Sequence, residues 1–386
     1  MPRLLALLGS AALVVVGCAD EKLGPSVQRP ADESAAGGPV GAPALVQWPA
    51  VVALPRGYAA GLATGVTGEG LVVGTAFRTR ALPDLAWAAT VDPATGVVAK
   101  PIPLDPLSPG RSATANGVSG NVIAGSAVDD KGTQQAVYWL YPDPTPHRIK
   151  VERLARMGLT AAAATAAGSE TIVGWYGDGG SERAFRIEVG GALAAEVSLP
   201  FPGGAYGVSD DGRNIAGCYQ MLVNGIRVEK VAYVRGDVSY DLSGNDPFLN
   251  QINLPESCAY DVDDGGALGG YLLYAVGSAW YLAAARATNI SQLPGWIPVF
   301  APSRRGTASD NFPSRVLGMG LKTVGWVDVL PSPDGWTQPQ GRYGFSNGML
   351  LPGLPGSTFS EAHGVSSKGA CLIAGSSGGQ PVVWGC

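Results

Sequence analysis

An all-β fold of repeated four-stranded units is predicted by three observations. The chain of 386 residues carries 56 glycines and 30 prolines, too many breakers for long helices, and it lacks the Gly-X-Y period of collagen. One short phrase is rewritten along its length, as GLATGVTGEGLVVGT from Gly61, TANGVSGNVIAGS from Thr114, AYGVSDDGRNIAGCY from Ala205 and EAHGVSSKGACLIAGS from Glu361. The glycine that closes the apolar run recurs at Gly74, Gly125, Gly174, Gly217, Gly270, Gly325 and Gly375, about every 50 residues, the period of a propeller blade. Seven anchors predict a seven-bladed β-propeller over residues 45–386.

Each repeat parses into four strands. The small-residue A-x-G-V piece suits an innermost strand, where neighbouring blades crowd the axis. A tight polar turn follows, as in Gly68-Glu69-Gly70, Asp210-Asp211-Gly212 and Ser367-Lys368-Gly369, whose residues tolerate positive φ. The second strand is a short apolar run such as LVVG, VIAG or LIAG, consistent with burial on both faces. The third carries one large aromatic, at Trp87, Trp139, Phe185, Tyr233, Trp280, Phe345 and Trp384, read as packing between blades. The fourth finishes in Leu-Pro at Leu199-Pro200, Leu254-Pro255, Leu293-Pro294 and Leu354-Pro355, where a missing N–H is tolerated at a sheet edge.

The last repeat stops at PVVWGC, one strand short, while ALVQWPAVVALP at 44–55 precedes the first repeat and ends in the same Leu-Pro. An N-terminal strand completing the C-terminal blade explains both and closes the ring. An open solenoid would need polar caps instead.

The N-terminus, MPRLLALLGSAALVVVGC, has one cation and an apolar run too short to span a bilayer, as a secretory leader requires. Val15-Val16-Gly17-Cys18 resembles the lipobox of bacterial lipoproteins. That resemblance implies a lipid on Cys18, and Ala19 in place of an acidic residue directs the protein to the outer membrane or cell surface. Residues 19–44 are rich in Pro, Gly, Ala and charge and read as a disordered tether. In an oxidising compartment the remaining Cys218, Cys258, Cys371 and Cys386 can pair in three ways. The SSGGQ turn at 376–380 brings Cys371 near Cys386, which favours that pair together with Cys218–Cys258 over free thiols.

The repeats also resemble the HAF repeat of extracellular bacterial proteins, with its Gly-(Ile/Val)-(Asn/Ser) turn, apolar run ending in Gly, aromatic strand and Leu-Pro-Gly finish. Residues 360–384, preceded by LPGLPGS, are the nearest copy, whereas TAAAATAAGSETIVGW and RVLGMGLKTVGW depart from it. The resemblance implies an exported β-repeat protein and brings no catalytic residues.

Chemistry is sparse. Two histidines, His147 and His363, come without a nucleophile motif, and there is no G-x-S-x-G, Walker loop or HExxH. The pairs Asp129-Asp130, Asp210-Asp211 and Asp263-Asp264 read as turn formers. DVDDGGALGGYL opens like a calcium loop but has Gly265 and Leu272 where oxygen ligands belong. No cofactor or metal is expected. A net charge of −5 without a basic stripe excludes nucleic acid as a partner class. The long, variable loops between second and third strands are where contacts gather, which makes Trp175, Tyr176, Tyr219, Trp326 and Trp336 the candidate ligand-face residues. The expectation is a monomeric, lipid-anchored, non-enzymatic module for a protein or glycan ligand. The alternative is a hydrolase or lyase using loop carboxylates.

Overall fold

The computed structural model describes residues 48–78, 82–151, 161–168, 170–177, 182–223, 226–241, 256–276, 279–287, 297–298, 314–329, 341–347 and 349–386. Among them every regular element is a strand. Strand β1 (Ala50–Val51) precedes the repeats. The first repeat holds β2 (Gly61–Val66), β3 (Leu71–Ala76), β4 (Leu85–Thr90) and β5 (Ile102–Pro103). The second holds β6 (Ala113–Ser119), β7 (Val122–Val128), β8 (Gln134–Leu140) and β9 (Asp143–Arg148). The third holds β10 (Ala161–Ala167), β11 (Thr171–Gly177), β12 (Arg183–Glu188) and β13 (Ala195–Glu196). The fourth is β14 (Gly203–Val208), β15 (Asn214–Val223), β16 (Ile226–Arg235) and β17 (Val238–Asp241). The fifth is β18 (Glu256–Val262), β19 (Leu268–Val276), β20 (Ala279–Ala287) and β21 (Ile297–Pro298). The sixth is β22 (Ser314–Met319), β23 (Thr323–Val329), β24 (Gly341–Ser346) and β25 (Met349–Leu350). The last repeat supplies β26 (Ser360–Val365), β27 (Leu372–Ser377) and β28 (Gln380–Gly385).

These strands form a β-propeller of four-stranded antiparallel meanders. The hydrogen-bonded sheets number six among the described residues, not the seven expected. Five have four strands, and the sixth has eight because β10 and β8 meet in a parallel pairing at Ala161 and Gln134 that joins the second and third repeats. The final sheet runs β1-β28-β27-β26, with Ala50 opposite Val383 and Val51 opposite Val382. The segment before the first repeat thus supplies the strand that the last repeat lacks.

The anchor glycines are explained by what crosses them. Each lies in a second strand, and all but Gly325, which faces Val316, lie opposite an alanine of the first strand, as Gly74 opposite Ala63, Gly125 opposite Ala115 and Gly375 opposite Ala362. On the other side of Gly74, Gly125, Gly174 and Gly375 lies an aromatic ring of the third strand. A Cβ on Gly125 would sit 2.7 Å from the Trp139 ring, one on Gly174 2.7 Å from Phe185, and one on Gly375 2.8 Å from Trp384. Trp87, Trp139, Phe185, Tyr233, Phe345 and Trp384 are all buried, as packing between sheets requires. The side chain of Trp280 lies outside the described residues. Leu199-Pro200, Leu354-Pro355 and Leu54-Pro55 fall beyond the outer strands, in the connections to the next element, a correction to their placement at the strand ends. The prolines at 255 and 294 lie outside the described residues.

Both favoured disulfides are present. Cys371–Cys386 clasps the β27–β28 hairpin, with Cα atoms 5.3 Å apart. Cys218 of β15 bonds Cys258 of β18, Cα atoms 5.1 Å apart, and so staples the fourth repeat to the fifth. Cys18 and the tether lie outside the described residues.

Candidate functional site

A cavity of about 130 Å³ touches the first strand of every repeat, β2, β6, β10, β14, β18, β22 and β26. The backbone of those strands determines what lines it. Every one carries a register shift at the same place, between Ala63 and Gly65, Ala115 and Gly117, Ala164 and Ala166, Ala205 and Gly207, Ala259 and Asp261, Val316 and Gly318, and Ala362 and Gly364. A bulge leaves one residue unpaired and re-aims its side chain. The bulged residues are Thr64, Asn116, Thr165, Tyr206, Tyr260, Leu317 and His363. All except Tyr260 line the cavity, and Tyr260 meets Tyr206 edge to face at 6.0 Å.

The residue after the bulge is usually glycine because the next repeat's first strand abuts it. A Cβ on Gly117 would lie 3.3 Å from the Ala166 Cα, one on Gly318 3.1 Å from the Gly364 Cα, and one on Gly364 3.0 Å from the Gly65 Cα. The fifth repeat breaks this rule with Asp261, a half-buried carboxyl on the cavity wall. Burial pushes its pKa up to about 7. The N–H groups of Met319 (2.8 Å) and Val262 (2.9 Å) work against the rise, and the Asp210 and Asp263 carboxylates add to it.

The end of the cavity at the tight turns is drawn together by Asp210. Its Oδ1 accepts from Ser119 Oγ at 2.8 Å, its Oδ2 accepts from Ser367 Oγ, and Lys368 Nζ lies 3.8 Å away. One carboxylate therefore ties the second, fourth and seventh repeats across the axis. Nearby, Asp263 accepts from the Ala267 N–H at 2.8 Å, and Asp264 accepts from the Asp211 N–H at 3.0 Å.

Outside the residues that line the cavity, near the starts of the first strands, lies an aromatic and charged cluster. Arg315 Nη1 donates to Tyr260 Oη at 3.1 Å, and its guanidinium sits 4.9 Å from the Tyr271 ring centroid. Tyr271 Oη donates to Glu229 at 2.7 Å, and burial, with that carboxylate nearby, raises the phenol's pKa. Arg342 lies 3.8 Å over Trp326 and donates to both Asp328 oxygens (2.6 and 3.0 Å) and to Glu361 (2.7 Å). His363 Nε2 is 3.2 Å from the other Glu361 oxygen and pairs with it. Burial works to raise the Glu361 carboxyl, yet His363 and Arg342 hold it below its ordinary range. Adjacent repeats are thus held by a disulfide between the fourth and fifth, a cation–aromatic contact between the fifth and sixth, and an ion pair between the sixth and seventh.

The expected contact residues are placed differently. Tyr176, Tyr219 and Trp326 are buried in second strands, not displayed on loops. Tyr176 Oη donates to Glu196 at 2.9 Å, Tyr219 stacks on Phe201 at 5.5 Å, and Trp326 lies beneath Arg342. Trp175 is half-buried in β11, and Trp336 lies outside the described residues. The reason is their position just after the anchor glycine, still within a strand sandwiched between sheets. His147 stacks on Tyr138 at 4.8 Å in β9. Asp210 and Asp211 form the centre of the Ser209–Gly212 turn and Asp263 opens the corresponding turn of the fifth repeat, as expected, while Asp210 and Asp261 also line the cavity. Among the described residues no group of three or more metal-ligating side chains converges.

No family model matches the chain, and no curated protein matches it. Among solved structures, a prolyl endopeptidase is similar at 16% identity with a TM-score of 0.51, over 84% of this chain and 46% of that one. The β-propeller domain of the Trilobed protease from Pyrococcus furiosus is similar at 9% identity and TM-score 0.48, over 84% of this chain and 96% of that one. TolB from Acinetobacter baumannii is similar at 14% identity and TM-score 0.36, over 58% of this chain and 51% of that one. The likeness to the prolyl endopeptidase speaks for the fold alone.

Proposed function

We propose that this chain is an exported, lipid-anchored binding module: a closed ring of propeller blades, tethered through Cys18 to the outer membrane, that takes a protein or glycan ligand at its axis without turning it over. The observation that carries the reading is internal to the repeat. Around most bulges, those flanked by Asp261 and Val316 excepted, the flanking residues are small, while the bulged residue itself varies through Thr, Asn, Tyr, Leu and His. Positions needed for packing would repeat their chemistry, and a position with five identities in seven copies, six of them lining a shared cavity, suits recognition. Ring closure is supported by the pairing of β1 with β28 and by the approach of Gly364 to Gly65. Export is supported by four cysteines joined in two disulfides.

Glycan arrays and pull-downs with residues 45–386 test this. Saturable capture that is lost when Tyr206 and His363 are replaced is the expected result, and no capture on either platform would end the proposal. A hydrolase or lyase is the second reading, favoured by one observation: Asp210, Asp261 and Asp263 share the cavity. Turnover of a bound glycan that Asp261→Asn abolishes would establish it.

A further inference from the structure

The hairpins between second and third strands are unequal in length. Counted from the anchor glycine, the second strand runs on for two residues in β3 and β27, three in β7 and β11 and four in β23, but six in β15 and β19. Their partners β16 and β20 are as long, and the ladders close at Val223 opposite Ile226 and Val276 opposite Ala279. At about 3.4 Å per residue, these two hairpins reach roughly 7–14 Å farther than the described second strands of the other repeats.

The hairpins belong to neighbouring repeats and rise from a polar collar. The Cys218–Cys258 disulfide joins the two repeats, Ser257 Oγ accepts from the Val231 N–H at 3.2 Å, and Tyr271 Oη donates to Glu229. Glu229, opposite Gln220, and Glu256, opposite Leu273, lie at the same height. Beyond them the chain reads MLVNGIRV at 221–228 and YAVGSAWY at 274–281, sixteen residues with a single charge, at Arg227. Leu222 is 70% exposed there, whereas the other apolar side chains described in second strands are buried or half-buried. A protruding apolar tip of this kind marks a surface that meets something other than water.

Depth, composition and the tether select a bilayer as that something. Elements lying in a bilayer interface sink about 5–10 Å into it, close to the extra reach of the hairpins, while the hydrocarbon core of about 30 Å is far beyond them. Tyr274, Trp280 and Tyr281 are of the residue types enriched at headgroup level. The outer edges of a two-stranded hairpin carry N–H and C=O groups that headgroup water satisfies and hydrocarbon does not, which stops entry at that depth. A lipid on Cys18 also brings a bilayer within reach. Strand β1 enters from the tight-turn end, where a Cβ on Gly385 would lie 2.6 Å from the Trp48 indole nitrogen. The 29 residues between Cys18 and Trp48 extend up to about 100 Å, several times the roughly 23 Å of a seven-residue strand.

We infer that the paired hairpins of the fourth and fifth repeats dock on a phospholipid bilayer, their tips in its interfacial layer, with the Asp210 turn and the cavity beside it at the end away from the membrane. The inference rests on the lipid-anchored reading for the nearness of the bilayer, not for the contact itself. Contact through the tips alone is weak and reversible, so it does not hold a chain without lipid on membranes that are washed.

Vesicle flotation tests this with residues 19–386, which hold the whole folded unit without leader or lipid. The chain is expected to float with phosphatidylcholine vesicles. Leu222→Glu, at an exposed site where the fold tolerates a charge, should weaken partitioning by about tenfold or more, and Leu222→Phe by less than about twofold. Met349→Glu, at a side chain 71% exposed on β25, should also change it by less than about twofold. The inference falls if the native sequence does not float, if Leu222→Glu floats equally well, or if Met349→Glu loses as much. It falls too if the chain forms a dimer in vesicle-free solution that Leu222→Glu breaks, which assigns the tips to a second copy. If flotation fails while Cys18→Ala releases the full chain from washed membranes, the docking falls and the anchor reading stands.

Discussion

Replacing Asp261 with Asn isolates the most unusual feature of the axis, a carboxyl where most repeats have glycine. Its pKa rises from an ordinary 3.8 to about 7, chiefly through burial. Between those values the folded chain holds a proton that the unfolded chain has released, so stability falls as pH rises through that window and levels off above it. The rise corresponds to about 4 kcal/mol at pH 8. Water in the half-buried cavity and the loss of one backbone hydrogen bond in the variant reduce the expected gain to about 2–3 kcal/mol. For a folded unit of residues 44–386, that is a Tm increase of about 3–4 °C. Thermal melts of both proteins from pH 4 to 9 should therefore show Asp261→Asn no more stable than the native chain at pH 4, increasingly more stable up to pH 7, and ahead by a constant margin beyond. A Tm difference that stays the same across this range would refute the placement of the carboxyl among Asp210, Asp263 and the Met319 N–H.

Gly125→Ala forces a Cβ against the Thr114 carbonyl and the Trp139 ring; urea titration should show a loss of about 1–3 kcal/mol, and an unchanged midpoint would mean that the ring does not rest on the glycine. The Cys218–Cys258 pair closes a 40-residue separation and Cys371–Cys386 one of 15. Removing the first by Cys→Ser replacement should cost about 4 kcal/mol and the second about 3 in guanidinium unfolding, and the reverse order would contradict the cross-repeat staple. Cys18→Ala should move the protein from the membrane fraction to the soluble one; retention in the membrane would argue against the lipid. Deleting residues 44–55 should prevent cooperative melting while deleting 19–43 leaves it unchanged, and equal effects would speak against β1 as part of the final blade.

Much of the architecture was legible because its causes are local. A ring laid over a backbone demands glycine beneath it, so Gly74, Gly125 and Gly375 announce the second strand wherever they recur. The missing strand of the last repeat and the spare one before the first point to each other for the same reason. The axis was harder to read. Strand periodicity is two, and a bulge adds one residue, so alternation assigns Asp261 and His363 to the wrong face from that point onward. Tyr176, Tyr219 and Trp326 misled because an aromatic after the anchor glycine looks like the start of a loop, while the second strand runs on for several residues. The joining of the second and third repeats into one sheet rests on a single residue pair, Ala161 with Gln134, for which no side-chain pattern exists. Arg315 gave no signal, since the aromatic rings it meets come from separate strands.

The repeated bulge also separates two demands that most small sites must reconcile. Because each extra residue is placed by the backbone bulge of the strand around it, whatever its side chain then touches, the positions at 206, 260, 317 and 363 can be diversified together, much as the hypervariable positions of an antibody are, while the surrounding strands stay as they are. The protein thus offers a ready framework for selecting new specificities from a library confined to four codons.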